Sequence, residues 1–282
     1  MSVNFIHGLV AIFCLFPVGF MAFRGEARSD FTPNTAFWAC LALSALGPLA
    51  WVLVQLSGTW QAGLTSALWV SIAATMTLFA MLAWSVRETW RLTPLLVPYM
   101  ALMGLVALLA EASGRGEGAT IPPISTMPTG AGAGPDGWLI VHIVISVATY
   151  ALVTISAVAA LAAFLQDRAL KTKRPTKLTH KLPSVADCGS MTVRLLGWGE
   201  AILGLGLITG MAAEYKVRGT LLVFDHKTIL SILAFVVIGG VLFAHHKTGL
   251  RGRKAARYVL LGYLLLALGY IGVKVVTDVI LA

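Results

Sequence analysis

Charge is what this chain has least of: Asp, Glu, Lys and Arg make up 12% of its 282 residues, about half the usual share of a soluble domain. A water-soluble globular class is excluded on that ground. Cysteine is scarce too, and Cys14, Cys40 and Cys188 are odd in number and widely spaced. That excludes a disulfide framework and a zinc site, leaving them as small buried apolar residues. Among so few ionisable groups there is no nucleophile–base constellation, phosphate-cradling loop or pair of carboxylates at usable spacing. Hydrolase and oxidoreductase sites are therefore not expected.

What replaces charge is apolar sequence, at 58% of residues and a mean hydropathy of +0.85. Runs close to the roughly 20 residues that cross a hydrocarbon layer of about 30 Å recur along the whole chain. Eight are readable, at approximately 4–23, 36–56, 64–86, 93–112, 138–165, 191–213, 227–246 and 257–280. The first lacks a basic n-region and a small-x-small cleavage site, so it is expected to persist as a helix. The expected fold is all-α, a polytopic membrane bundle of eight transmembrane helices. The Gly- and Pro-rich segment 113–137 precludes a packed element, and divides the chain into an N-terminal four-helix half (1–112) and a C-terminal four-helix half (138–282).

The 21 Lys and Arg residues fall unevenly along this pattern. Arg24 and Arg28 follow the first run, Arg87 and Arg91 the third. Six basic residues lie between Arg168 and Lys181, and five between Lys247 and Arg257. Basic residues near helix ends stay cytoplasmic, so both termini are expected to face outward, into the periplasm. The formal charge of +9 is thereby topogenic; anionic lipid headgroups suffice as its partner and nucleic acid is not required.

Polar groups inside apolar runs need individual accounts. His142 lies one turn inside the fifth run, after Trp138, and Ser146, Thr149 and Tyr150 follow at i+4, i+7 and i+8. That spacing lines one helical face, which is expected to turn inward and hydrogen-bond other helices or hold a ligand. Glu200, ten residues into the sixth run, is expected either neutral or paired, with Arg194 or with a group on another helix. Lys274 and Asp278 form a local i,i+4 pair, or Lys274 offers its charge to an anion. The densest chemistry runs from Phe224-Asp225-His226-Lys227, at one end of the seventh run, to His245-His246 and Gly249-Leu250-Arg251-Gly252-Arg253-Lys254 at the other.

From about residue 128 onward the sequence resembles the cytochrome c assembly protein family, in its HemX-like branch of eight-helix bacterial inner-membrane proteins. The matching pieces come in the family's order: Trp138 through His142 with Tyr150, Leu182-Pro183-Ser184, Gly204 through Gly210, Lys227 through His245, and Gly249 through Ala256. The resemblance implies a protein that binds or presents haem at the outer membrane face during cytochrome c maturation, with apocytochrome c or other assembly proteins as partners. A non-catalytic adaptor or regulator of haem supply, binding a protein without haem, is the alternative it implies. Cys-x-x-Cys-His is absent, so haem would be held non-covalently, as b-type haem. Where the family's haem-handling members carry a tryptophan-rich loop, this chain has Gly219 through Asp225, with no Trp after Trp198. Phe224 is then the residue left to cover a porphyrin face, beside Asp225.

Spacing limits which imidazoles cooperate. Lys227 to His245 is 18 residues, about 27 Å of helix, so His245 belongs at the opposite membrane surface from His142. An outer haem with two axial imidazoles would pair His142 with His226 or with His7, with Lys274, Lys216 or Arg218 neutralising propionates. His245 would serve a separate inner site, as the family's transmembrane histidine does, and His180 lies in the cytoplasmic loop.

Overall fold

The computed structural model describes residues 3–24, 33–57, 60–61, 63–86, 88–113, 120–121, 137–219, 225–249 and 252–276. Among the described residues, apart from a two-residue antiparallel bridge, β1 (Trp60–Gln61) to β2 (Thr120–Ile121), every regular element is helical. Eight helical spans are long and apolar enough to cross a membrane, as the apolar runs predict, and the chain is a multi-pass membrane protein.

The first span is two helices, α1 (Val3–Phe13) and α2 (Phe16–Arg24), separated by a turn at Cys14–Leu15. Pro17 has no N–H to return to the preceding turn, and the Leu15 amide bonds instead to the Ile12 carbonyl at 2.9 Å. Next come α3 (Thr35–Ser57), α4 (Leu64–Ser85) and α5 (Thr93–Ala112). The C-terminal half comprises α6 (Gly137–Thr172), α7 (Val185–Arg218), α8 (His226–Thr248) and α9 (Gly252–Ala267), which continues through a π-helical turn, Leu268–Gly272, to Val275.

Two of these helices outrun their apolar segments because polar chemistry extends them. α6 continues past the lipid-length run to an Asp167–Lys171 ion pair at 3.0 Å, one turn apart. α7 starts at Ser184, whose hydroxyl accepts the Asp187 amide at 3.2 Å, an ordinary N-cap. α7 and α8 end on Gly219 (φ 71°) and Gly249 (φ 65°), left-handed positions that favour glycine.

The basic turns meet at one end of the bundle. The Lys181 ammonium donates to the Ala22 carbonyl at 3.1 Å and to that of Phe23 at the end of α2. Arg91 Nε donates to the Lys181 carbonyl at 3.2 Å, and Arg253 Nε to Asp167 at 2.8 Å. Burial at this junction pulls Lys181 below the usual lysine range. All four basic connections therefore lie at one end, called here the basic end.

α6 is the axis of the molecule, packed on α4, α5, α7 and α9. Small residues set its register against α7. A Cβ on Gly199 would stand 2.9 Å from Val153, one on Gly206 3.3 Å from Ile145, and one on Gly210 2.9 Å from the His142 ring. α7 and α8 approach in the same antiparallel way, Gly204 against Phe235 and Gly239 against Glu200. These two registers fix the depth of every polar group in the C-terminal half.

Candidate functional site

The inward stripe of α6 forms as its spacing predicts, but its hydroxyls are satisfied locally. Ser146 donates to the His142 carbonyl at 2.8 Å and Thr149 to that of Ile145 at 2.9 Å, the i−4 back-bond typical of Ser and Thr in helices. His142 is different. Its Nδ1 lies 3.1 Å from the Thr209 hydroxyl oxygen, and that hydroxyl spends its single proton on the Gly206 carbonyl, also at 3.1 Å. Thr209 can then only accept from the ring, so Nδ1 carries the proton and Nε2 keeps its lone pair. Trp138 Nε1 donates to the Thr209 carbonyl at 3.1 Å, and the imidazole rests on Gly210. Gly206, Thr209 and Gly210 thus form the seat of this histidine.

His142 lines a cavity of about 380 Å³ between α4, α6, α7, α8 and the π-helical turn, within the usual range for ligand sites. Its walls are chiefly apolar, from Val70, Ile143, Leu203 and Leu266; Ser66 and Ser231 add hydroxyls. Lys227 and Lys274 also line it, and no carboxylate does among the described residues. Tyr150 and Tyr270 close it towards the membrane centre, their rings 5.5 Å apart. Behind them, the hydroxyls of Tyr99, Tyr150 and Tyr263 form a triangle: Tyr150 lies 3.2 Å from Tyr99 and 3.1 Å from Tyr263, and Tyr99 bonds Tyr263. The triangle ties α5, α6 and α9 together at the cavity floor.

The other expected site residues are placed as follows. His226 is exposed at the first turn of α8 and does not line this cavity, whereas its neighbour Lys227 does. Asp225 is the N-cap of α8, its carboxylate accepting the Thr228 amide at 2.8 Å. Burial opposes its charge, but the Thr228 amide and hydroxyl, with Lys227 and His226 nearby, outweigh that and hold its pKa below the ordinary range. His7 is exposed on α1 and stacks on Trp51 at 5.1 Å. Phe224 and the side chains of Lys216 and Arg218 lie outside the described residues, as does Asp278. Among the described residues His142 is the one imidazole on this cavity.

His245 stands at the basic end, on a second cavity of about 670 Å³ shared with Arg194. Its neighbour His246 is exposed, with ring centroids 5.6 Å apart. Glu200 does not pair with Arg194: six residues apart, the two point about 120° from each other around the helix. Its Oε1 stands 2.9 Å from where a Gly239 Cβ would be, and Oε2 has no hydrogen-bond partner among the described residues.

The arrangement defines a class: a multi-pass helical membrane protein with one positioned imidazole and two ammonium groups on an otherwise apolar cavity. The Cytochrome C assembly protein family matches residues 35–281, and the chain belongs to that family. The match begins well before residue 128, so α3, α4 and α5 take part in it as well as the C-terminal half. A 28.8 kDa protein of Azospirillum brasilense is 49% identical over 282 residues, all of both chains. Inner membrane protein YpjD of Escherichia coli is 28% identical over 142 residues, 50% of this chain and 53% of that one. Protein HemX of Brevibacillus brevis is 24% identical over 134 residues, covering 48% and 49%. No solved structure matches the chain.

Proposed function

We propose that this chain is a haem-holding protein of the bacterial inner membrane. It presents haem non-covalently at the outer face during cytochrome c maturation, to apocytochrome c or another assembly protein. Clustering of the basic turns supports placing that end in the cytoplasm and both termini in the periplasm, and the name of the YpjD relative supports the compartment. The His142 cavity then opens towards the outer leaflet.

The observation that carries the reading is the seating of His142. With its Nδ1 proton committed to Thr209, Nε2 would be available to iron, the arrangement that second-shell partners impose on ligating histidines. The residues fit haem in kind: His142 would hold its iron, Lys227 and Lys274 would neutralise its two propionates, and the aliphatic walls with Tyr150 and Tyr270 would cover its ring. Haem held there would supply the iron and the ring that a c-type cytochrome takes up. Lys227 and Lys274 would orient it by its acidic edge, and the apolar walls would exclude water from its faces. With His226 and His7 both off the cavity, His142 is proposed as the single protein imidazole on the iron.

Absorption spectroscopy of the purified protein, with haem titrated in, tests this. The wild type is expected to give a Soret band that His142→Ala weakens strongly and His180→Ala does not. A wild type that gains no Soret band removes the haem reading. A stable protein partner crosslinked in the absence of haem would then favour the regulator of haem supply, which the absence of tryptophan after Trp198 supports.

A further inference from the structure

The second cavity, on which His245 stands, has no part in the outer haem site proposed above. It lies at the basic end between α6, α7, α8 and α9, walled by Ala160, Ala163, Gly189, Val241, Ala256 and Val259. Gly189 borders open space, with nothing within 4 Å of where its Cβ would stand. Arg194 and His245 supply its strongest polar groups, and no carboxylate lines it among the described residues.

Arg194 stands at the edge of the apolar layer, where the lipid-length run of α7 begins near residue 191, on an exposed face. The Glu200–Gly239 contact fixes the α7–α8 register. Arg194 and His245 each lie six residues from that contact towards the basic end, so they share one level. At that level a guanidinium meets the phosphate layer of the leaflet, where a charge-assisted contact is within reach. Arg194 has no hydrogen bond or ion pair with any described residue. Ser190 and Thr192, the nearby hydroxyls, are satisfied by the Asp187 and Cys188 carbonyls of their own helix.

We propose that this cavity is a binding site for an anionic phospholipid of the leaflet at the basic end. Its phosphate pairs with Arg194 beside His245, and an acyl chain fills the alanine- and glycine-lined space. The surroundings favour an anionic headgroup over a zwitterionic one, because Lys247, Lys254 and Arg257 are exposed on the same end of α8 and α9. Arg194 gains a charge-assisted contact that the protein itself does not provide, and the lipid closes a gap that packed interiors do not leave empty.

The test uses the full chain, extracted in mild detergent and examined by native mass spectrometry after exchange into nanodiscs of equimolar phosphatidylglycerol and phosphatidylcholine. The wild type is expected to retain one phosphatidylglycerol per chain in preference to phosphatidylcholine. Arg194→Gln should lower that preference about tenfold, the loss of one charge-assisted contact. Gly189→Leu, which grows a side chain into the open space, should lower retention of both lipids, while His142→Ala should leave retention unchanged. Equal retention of phosphatidylglycerol by wild type and Arg194→Gln, or full retention by Gly189→Leu, overturns the proposal. So does displacement of phosphatidylglycerol by added haemin, which would assign the cavity to a porphyrin. Failure of the haem reading is registered separately, by the Soret band, which none of these lipid measurements requires.

Discussion

Adding one methyl group at Gly210 should disable the His142 site without touching its ligand atom. The Cβ of Gly210→Ala would stand 2.9 Å from His142 Cε1, with Nδ1 and Nε2 at 3.5 and 3.6 Å. Carbon atoms rest at about 3.5–4.0 Å, so the ring must retreat by about 0.6–1 Å. It cannot do so and keep its 3.1 Å bond to Thr209, because Thr209 is the adjacent residue on the same helix. Overpacking of this kind costs about 1–3 kcal/mol of stability. Loss of the group that fixes a ligating histidine costs about 10–100-fold in affinity. The assay is a haem titration followed at the Soret band, with thermal unfolding in detergent to show that the bundle persists. Thr209→Val is the companion, removing the acceptor while adding no bulk against the ring, and the same 10–100-fold weakening is expected. Nitrogen NMR of labelled histidine adds an independent reading: Nδ1 protonated in the wild type, and a mixed tautomer in Thr209→Val. Unchanged haem affinity in both variants would refute the claim that this seat prepares His142.

Replacing Lys227 or Lys274 with Gln should weaken haem binding several-fold each and leave the band position unchanged, since each contributes charge and neither is a ligand; a shifted band would contradict that division of labour. Tyr263→Phe removes two sides of the buried hydroxyl triangle while keeping the ring, and should cost about 1–2 kcal/mol, read as a lower unfolding temperature in detergent. Asp225→Ala should cost about 1 kcal/mol as a lost N-cap. Because the folded pKa of Asp225 is depressed, its contribution is complete above the ordinary carboxylate value near pH 4 and disappears as pH falls through the lowered folded value. An acid limb of the same size in wild type and Asp225→Ala, in thermal unfolding from pH 3 to 6, would contradict the cap assignment.

Much of the architecture was legible because lipid imposes a length on apolar runs and a period on the polar residues within them. The eight spans and the inward stripe of α6 could both be read without coordinates. Helix ends were less readable. Lipid length says nothing of the Asp167–Lys171 turn that carries α6 beyond the apolar run, or of the break that Pro17 forces in the first span. The site was half legible. His142 declared itself as an imidazole in an apolar helix, and Lys274 as a cation near its end. Thr209 and Gly210 lay in a segment already noted, but their pairing with His142 depends on the α6–α7 register, which is a tertiary fact. Tyr99, Tyr263 and Tyr270 are single tyrosines on separate helices, and no periodicity joins them. Asp225 was read as part of a ligand loop, whereas its carboxylate is spent on the first turn of α8.

In the proposed function His142 would hold the iron of a haem bound at the cavity of about 380 Å³. The most direct measurement is the absorption spectrum of the purified full chain titrated with haem, wild type beside His142→Ala. A saturable Soret band in the wild type that His142→Ala loses, with its fold intact by circular dichroism, is the predicted result. A band of equal strength and position in both proteins would contradict it.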